Sequence, residues 1–246
     1  MQWLRAAAVD VYTASGSVLA LLIVLAAIRG DAVHALWLGL AALVVDGTDG
    51  MLARRFEVRR CLPKFDSTRL DDIVDYLTYV FAPIVLLLQG GYLPSGNAGT
   101  IVAASALLAS CYQFCRTDAK TDDHLFLGFP SYWNIVAFYV VTQDVSPTVT
   151  AVVILICVVL VAVPLGYVYP SRTVAFRRLT LALTVVWLVS YAVILVQMPD
   201  PQPVWTTVSF LYVAYYFGLS LYLDARKRTR RHGATNAAPS RAGIDE

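Results

Sequence analysis

The chain alternates long apolar runs with short polar ones. Residues 10–28, 33–53, 71–88, 99–115, 148–167, 179–197 and 204–223 are each predominantly apolar. A helix rises 1.5 Å per residue, so roughly 20 such residues cross a hydrocarbon core of about 30 Å. Each run is therefore predicted as a membrane-spanning helix. Residues 130–142 (PSYWNIVAFYVVT) form a shorter candidate. Pro130 suits a first helical turn, where its missing N–H would have no helical partner in any case. Leu125, Phe126 and Leu127 are expected to lengthen this run.

The basic residues decide the short case. Eighteen of the nineteen Lys and Arg fall in alternate polar segments: Arg5, the stretch 54–69, Arg116 with Lys120, Arg172 with Arg177 and Arg178, and the tail from Arg226. Only Arg29 lies in the other set. The positive-inside rule puts the basic segments in the cytoplasm. Two crossings are then required between Lys120 and Arg172, so residues 130–142 must span. The expected fold is an all-α integral membrane protein of about eight transmembrane helices with both termini cytoplasmic. The opposite loops (RGDA, QGGYLPSGNAG, TQDVSP and QMPDPQP) are short, Gly- and Pro-rich and nearly uncharged. The first run is longer than a signal-peptide core and is read as a retained helix. Residues 1–225 form the expected membrane domain and 226–246 a cytoplasmic tail. Its basic start (DARKRTRR) is a stop-transfer flank or a contact for anionic headgroups. From Thr229 the tail is expected to be disordered.

Composition agrees. The 246 residues are 58% apolar and 15% charged, with a mean hydropathy of +0.63. Soluble domains are about 45–50% apolar and about 25% charged. These figures exclude a soluble enzyme, a disordered chain and a disulfide scaffold. The net charge of +2 gives no case for a nucleic-acid partner. Cys61, Cys111, Cys115 and Cys157 form no CxxC pair and no zinc-spaced cluster, and read as packing residues.

Carboxylates at the ends of apolar helices are costly and mark function by default. Asp46 and Asp49 end the second run, and Asp71, Asp72 and Asp75 begin the third. The i,i+3 pair Asp46/Asp49 and the i,i+4 pair Asp71/Asp75 each share one helix face. A short cytoplasmic loop joins the two ends, so four carboxylates are expected to meet at the inner membrane surface. Such a cluster repels itself unless it is protonated or bridged by cations. All-oxygen ligands favour hard divalent ions such as Mg²⁺ or Mn²⁺, and a pair of them suits phosphoryl displacement. Gly50 permits close backbone approach, and Arg54 carries a planar fork suited to phosphate oxygens. A diphosphate substrate at the membrane surface is the implied ligand.

The run DGTDGMLARR, followed by Asp71 and Asp75, resembles the signature of the CDP-alcohol phosphatidyltransferase family. That signature reads D-x2-D-G-x2-A-R, a spacer, then G-x3-D-x3-D. Asp46, Asp49, Gly50, Ala53, Arg54, Asp71 and Asp75 fall on it. The spacer of twelve residues resembles the bacterial phosphatidylcholine synthase branch, as do YTASG, DDIVDYLTYVF, YQFCRTDAKTDDH, GFPSYWN and YPSRT. The likeness covers about residues 10–223. One position departs: the family glycine is Ser67, which would be strained if that site needs a positive φ.

The resemblance implies a chemistry and a place. Asp46, Asp49, Asp71 and Asp75 would hold two divalent cations, Mn²⁺ or Mg²⁺. Gly50, Ala53 and Arg54 would line the CDP site. Asp75 would also take the proton from the choline hydroxyl as it attacks the phosphorus of CDP-diacylglycerol, with release of CMP. The implied partners are CDP-diacylglycerol, choline, membrane lipid and a second copy of the chain in a homodimer. The implied location is the bacterial inner membrane, multi-pass, with the active site facing the cytoplasm. Asp72 lies off the signature and reads as solvated or paired with Arg69.

Choline carries a quaternary ammonium, for which aromatic faces are the usual partner. Tyr76, Tyr79, Tyr132, Trp133 and Asn134 are the candidates for its pocket, with Tyr112 and Phe129 behind them. Thr13 is a candidate nucleotide contact and Arg172 a candidate for the lipid phosphate. His124, beside Asp122 and Asp123, reads as a solvated loop residue. Two alternatives stay open at this stage. One is the same chemistry with inositol phosphate, glycerol phosphate or serine; the other is a cation or proton transporter using the acids as a path.

Overall fold

The computed structural model describes residues 2–119, 125–170 and 173–237. A helix forms in each of the eight expected regions. They are α1 (Gln2–Ile28), α2 (Ala32–Arg55), the third helix described next, α6 (Asn97–Cys115), α7 (Trp133–Thr142), α8 (Pro147–Ala162), α9 (Arg177–Val196) and α10 (Pro203–Ala237). The third is built from α4 (Ser67–Asp75), a π-helical turn at Tyr76–Phe81 and α5 (Ala82–Gln89). A four-residue helix, α3 (Val58–Cys61), lies in the loop before it. Among the described residues, five helices are long and apolar enough to cross a membrane: α1, α2, α6, α9 and the first part of α10. Large apolar side chains such as Val11, Leu108, Val159 and Leu211 point outward. On a water-soluble protein so much exposed apolar surface would drive association; in a bilayer it is the solvated face. The protein is thus a multi-pass helical membrane protein.

Caps and prolines set the helix ends. Asp31 accepts from the His34 N–H at 3.0 Å and opens α2. Asp66 accepts from the N–H groups of Thr68 and Arg69 at 3.2 and 3.1 Å and opens α4. Each acceptor satisfies a donor that the first helical turn leaves without a partner. Pro147 opens α8. The residue before a proline avoids helical backbone, and Val163, before Pro164, is extended and ends α8 at Ala162.

Two expectations need correction here. Leu125–Leu127 does not lengthen α7; it is a strand, β1, paired antiparallel with β2 (Gly166–Val168). Among the described residues the fold is therefore all-α except for this short ladder. Gly128 turns the chain at φ +81°, and an added Cβ there would run into the Val161 carbonyl. Ser131 is also left-handed, at φ +59°. Helix α7 consequently starts only at Trp133, past Pro130, and its 10 residues reach about 15 Å. The second correction concerns the tail. Helix α10 runs on to Ala237, through residues expected to be disordered, while residues 238–246 lie outside those described.

Helices α1 and α2 pack antiparallel. Ala6 and Val9 near the start of α1 meet Val58 of α3, with Leu52, Ala53 and Phe56 closing over them. Helix α4 lies along α1 at Gly16, where an added methyl would stand 2.5 Å from Val74 Cγ1. Only glycine allows this close approach. The main core runs between the helices, with Trp133, Phe138 and Tyr191 fully buried. Phe138 and Tyr191 stack with ring centroids 3.8 Å apart. The ladder is tied to α10: Asp224 Oδ1 accepts from the Gly166 N–H at 3.1 Å and Ser220 Oγ from the Val168 N–H at 3.0 Å. These side chains satisfy strand donors that would otherwise be buried without partners.

Candidate active site

The end of α2 and the length of α4 carry the acids. Antiparallel packing of α1 on α2, and of α4 beside α1, brings these two segments to the same depth. Carboxylate oxygens of Asp46, Asp49 and Asp71 all lie within 4.8 Å of one another. Asp75 joins them: its carboxyl lies beside that of Asp46 and feels the charges of Asp46, Asp71 and Asp49. When all four are charged, a cation must supply the positive charge between them. Asp49 is 6% exposed and the other three are half-buried, so the repulsion is weakly screened. The donor set, all oxygen and compact, fits a hard divalent ion.

Two hydroxyls orient the cluster. Thr13 of α1 is buried and donates to Asp49 Oδ2 at 2.9 Å. Tyr79, in the π-turn, donates to Asp46 Oδ2 at 2.5 Å. Such turns inside helices are frequent at functional sites, and this one follows directly after Asp75. The neighbouring Tyr12 hydroxyl meets Thr48 Oγ1 at 2.8 Å, a further tie between α1 and α2. Groups that hold a metal ligand in place typically control affinity about 10–100-fold. Thr13→Val is therefore expected to weaken Mn²⁺ binding by about that factor, measured by calorimetric titration.

Toward the C-terminal end of α2, just past the acids, Gly50 and Arg54 stand together. An added Cβ at Gly50 would be 3.5 Å from an Arg54 guanidinium nitrogen, so this cation lies over the bare glycine backbone. Arg54 is exposed, while Ala53 is half-buried against the α1–α3 cluster. Ser67 opens α4 with ordinary helical backbone, so no positive φ is asked of it. Its Oγ is buried without a hydrogen-bond partner. Asp72 sits half-buried on α4. Arg172 and His124 lie outside the described residues.

The expected choline pocket is only partly assembled. Tyr79 and Tyr132 come together, ring centroids 6.0 Å apart. Tyr76 turns instead to α6, with its hydroxyl 3.4 Å from the Leu107 carbonyl oxygen and its ring edge-on to Phe114. Trp133 is fully buried and donates to Ser110 Oγ at 2.7 Å. Asn134 is buried and accepts from the Ile135 N–H at 2.9 Å. Helix rotation is the cause: α7 packs against α5, so Trp133 and Asn134 face inward. Tyr112 is exposed, and the Arg116 guanidinium lies 5.5 Å from its ring centroid. Arg116 also makes a two-pronged pair with Asp118, at 2.8 and 2.9 Å. Those hydrogen bonds hold the exposed Asp118 carboxyl below its ordinary range.

Asp10 is not among the residues expected from the sequence. It is 8% exposed, and its Oδ2 is buried without a partner. It precedes Thr13 by three residues, on the same face of α1. An acid within the first apolar run was the available signal. Tyr216 of α10 is likewise outside the expected set; its ring lies 6.4 Å from that of Tyr132.

No protein-family model matches the chain. It is 39% identical over 225 residues to a phosphatidylcholine synthase of Pseudomonas aeruginosa, covering 91% of this chain and 93% of that protein. A phosphatidylcholine synthase of Legionella pneumophila is 39% identical over 228 residues, with 90% and 89% of the two chains covered. One of Borreliella burgdorferi is 32% identical over 224 residues, with 90% and 95% covered.

Proposed function

The chain belongs to the phosphatidylcholine synthase family, and from that premise we propose that it transfers the phosphatidyl group of CDP-diacylglycerol to choline and releases CMP. The observation that carries the reading is the meeting of Asp46, Asp49, Asp71 and Asp75 between α2 and α4. A phosphoryl transfer needs little covalent chemistry from the protein; it needs positioning and charge neutralisation. Asp46, Asp49, Asp71 and Asp75 would hold two divalent cations, Mn²⁺ or Mg²⁺, which supply that neutralisation when bound. Arg54, lying over Gly50, takes the cytidine diphosphate oxygens. Thr13 keeps Asp49 turned toward the cluster.

Asp75 acts as the base. It accepts the proton of the choline hydroxyl as that oxygen forms its bond to the diacylglycerol-bearing phosphorus. The bond from this phosphorus to the CMP oxygen breaks, and CMP leaves. Tyr79 and Tyr132 lie on the side of the cluster where the acceptor enters. Arg172 is the candidate for the lipid phosphate.

The membrane arrangement in this reading has eight crossings, both termini and the site cytoplasmic, in the bacterial inner membrane. The third crossing is α4, the π-turn and α5 together; α7 and α8 supply the two short ones. Residues 1–225 are the catalytic membrane domain and 226–246 a basic cytoplasmic tail. A homodimer is the proposed assembly. The test is conversion of labelled choline with CDP-diacylglycerol by the purified protein in detergent. Phosphatidylcholine and CMP are expected in equal amounts. Product from glycerol phosphate, inositol phosphate or serine, and none from choline, would overturn the reading.

A further inference from the structure

Elements far apart in the sequence converge beside the acid cluster through their tyrosines. Tyr79 gives its hydroxyl to Asp46. Its ring neighbours that of Tyr132, the residue that precedes α7. Tyr132 and Tyr216 are in ring contact, with centroids 6.4 Å apart. Tyr216 in turn donates to the Val168 carbonyl oxygen of β2 at 3.0 Å. Ser220, one turn further along α10, accepts from the Val168 N–H. The ladder therefore fixes the rotation of α10, and that rotation sets the Tyr216 ring. All three rings are half-buried.

Apolar packing alone does not explain this arrangement. Phenylalanine would give the same ring contacts without three hydroxyls that need partners away from water. Here hydroxyls lock the two flanking rings, Tyr79 on an acid and Tyr216 on a strand carbonyl, and the Tyr132 ring sits between them. Locked electron-rich faces next to a carboxylate suit a cation that has no N–H to donate. We infer that Tyr216 completes, with Tyr79 and Tyr132, the seat for the quaternary ammonium of the acceptor, which makes α10 a specificity element of the reaction. The inference rests on the choline reading above. A quaternary ammonium cannot be selected by hydrogen bonds, whereas ring faces attract it within about 6 Å of a centroid.

The test separates charge recognition from shape. The unsubstituted protein and Y216L are assayed with choline and with 3,3-dimethylbutan-1-ol, its uncharged isostere. Y216L keeps apolar bulk on α10 but has no π face. It is expected to raise the choline KM about ten-fold and to lower the choline-over-isostere ratio of kcat/KM by about the same factor. The CDP-diacylglycerol KM is expected to stay within about two-fold, since the ring is placed on the acceptor side. Y216W serves as the second variant, because indole is the stronger cation partner; it is expected to hold or raise the ratio. A ratio unchanged in Y216L, or lowered in Y216W as far as in Y216L, would overturn the seat. Absence of phosphatidylcholine from choline in the unsubstituted protein would overturn the functional reading, and the seat with it.

Discussion

Asp75→Asn is expected to lower kcat by about 10²–10⁴-fold, the range that a positioned base typically contributes. The amide has the same shape and still offers one oxygen, but it cannot accept the proton of an attacking hydroxyl. The same substitution is expected to leave the protein folded, and in chelator to hold or raise its melting midpoint. Asp75 lies against Asp46 and within the field of Asp71 and Asp49, so removing one negative charge relieves repulsion in a weakly screened site. Loss of turnover together with retained or raised stability is the pattern of a group kept for chemistry. Kinetics and thermal unfolding on one preparation check both halves. A variant that keeps full turnover would remove Asp75 from the reaction.

Chelation is expected to abolish turnover, and Mn²⁺ or Mg²⁺ to restore it. The reason is again the crowding of acids: oxygens of Asp46, Asp49 and Asp71 within 4.8 Å of one another leave a position that a divalent ion satisfies well. A ligand that binds only the folded state stabilises it by about 2.7 kcal/mol at a concentration 100 times its Kd. The melting midpoint should therefore climb with Mn²⁺. Asp46→Asn, Asp49→Asn and Asp71→Asn are each expected to shrink that climb, because each removes a charge from the ligand set. Turnover that persists in strong chelator, with no Mn²⁺-dependent rise in melting, would sink this expectation.

The acid cluster was legible because helical spacing is a local property. Asp46 with Asp49, and Asp71 with Asp75, share faces by the geometry of one helix turn, and the short loop between the two helices limits how far apart they can go. The neighbours of the acids were legible for the same reason: Gly50 and Arg54 sit on consecutive turns of α2. The ladder was not legible. Three-residue strands such as Leu125–Leu127 look like the fringe of an apolar helix. Gly128, set against the Val161 carbonyl at the end of α8, and the left-handed Ser131 decide otherwise. Trp133 and Tyr76 show a second limit. Both are aromatics near the right end of their helices, yet each turns toward α6 because neighbouring helices set the rotation about the axis.

Sequence alone determined the helical membrane class, the topology signal in the basic loops and the identity of the four acids, since all are carried by composition or by spacing within one element. The tertiary structure alone decided that Thr13 and Tyr79 orient the acids, that α7 is short, and that Tyr216 stands beside Tyr132 across more than eighty residues of chain. Those facts depend on how one helix is rotated and shifted against another. That rotation and shift are the outcome of packing summed over many side chains, and no single stretch of sequence records them.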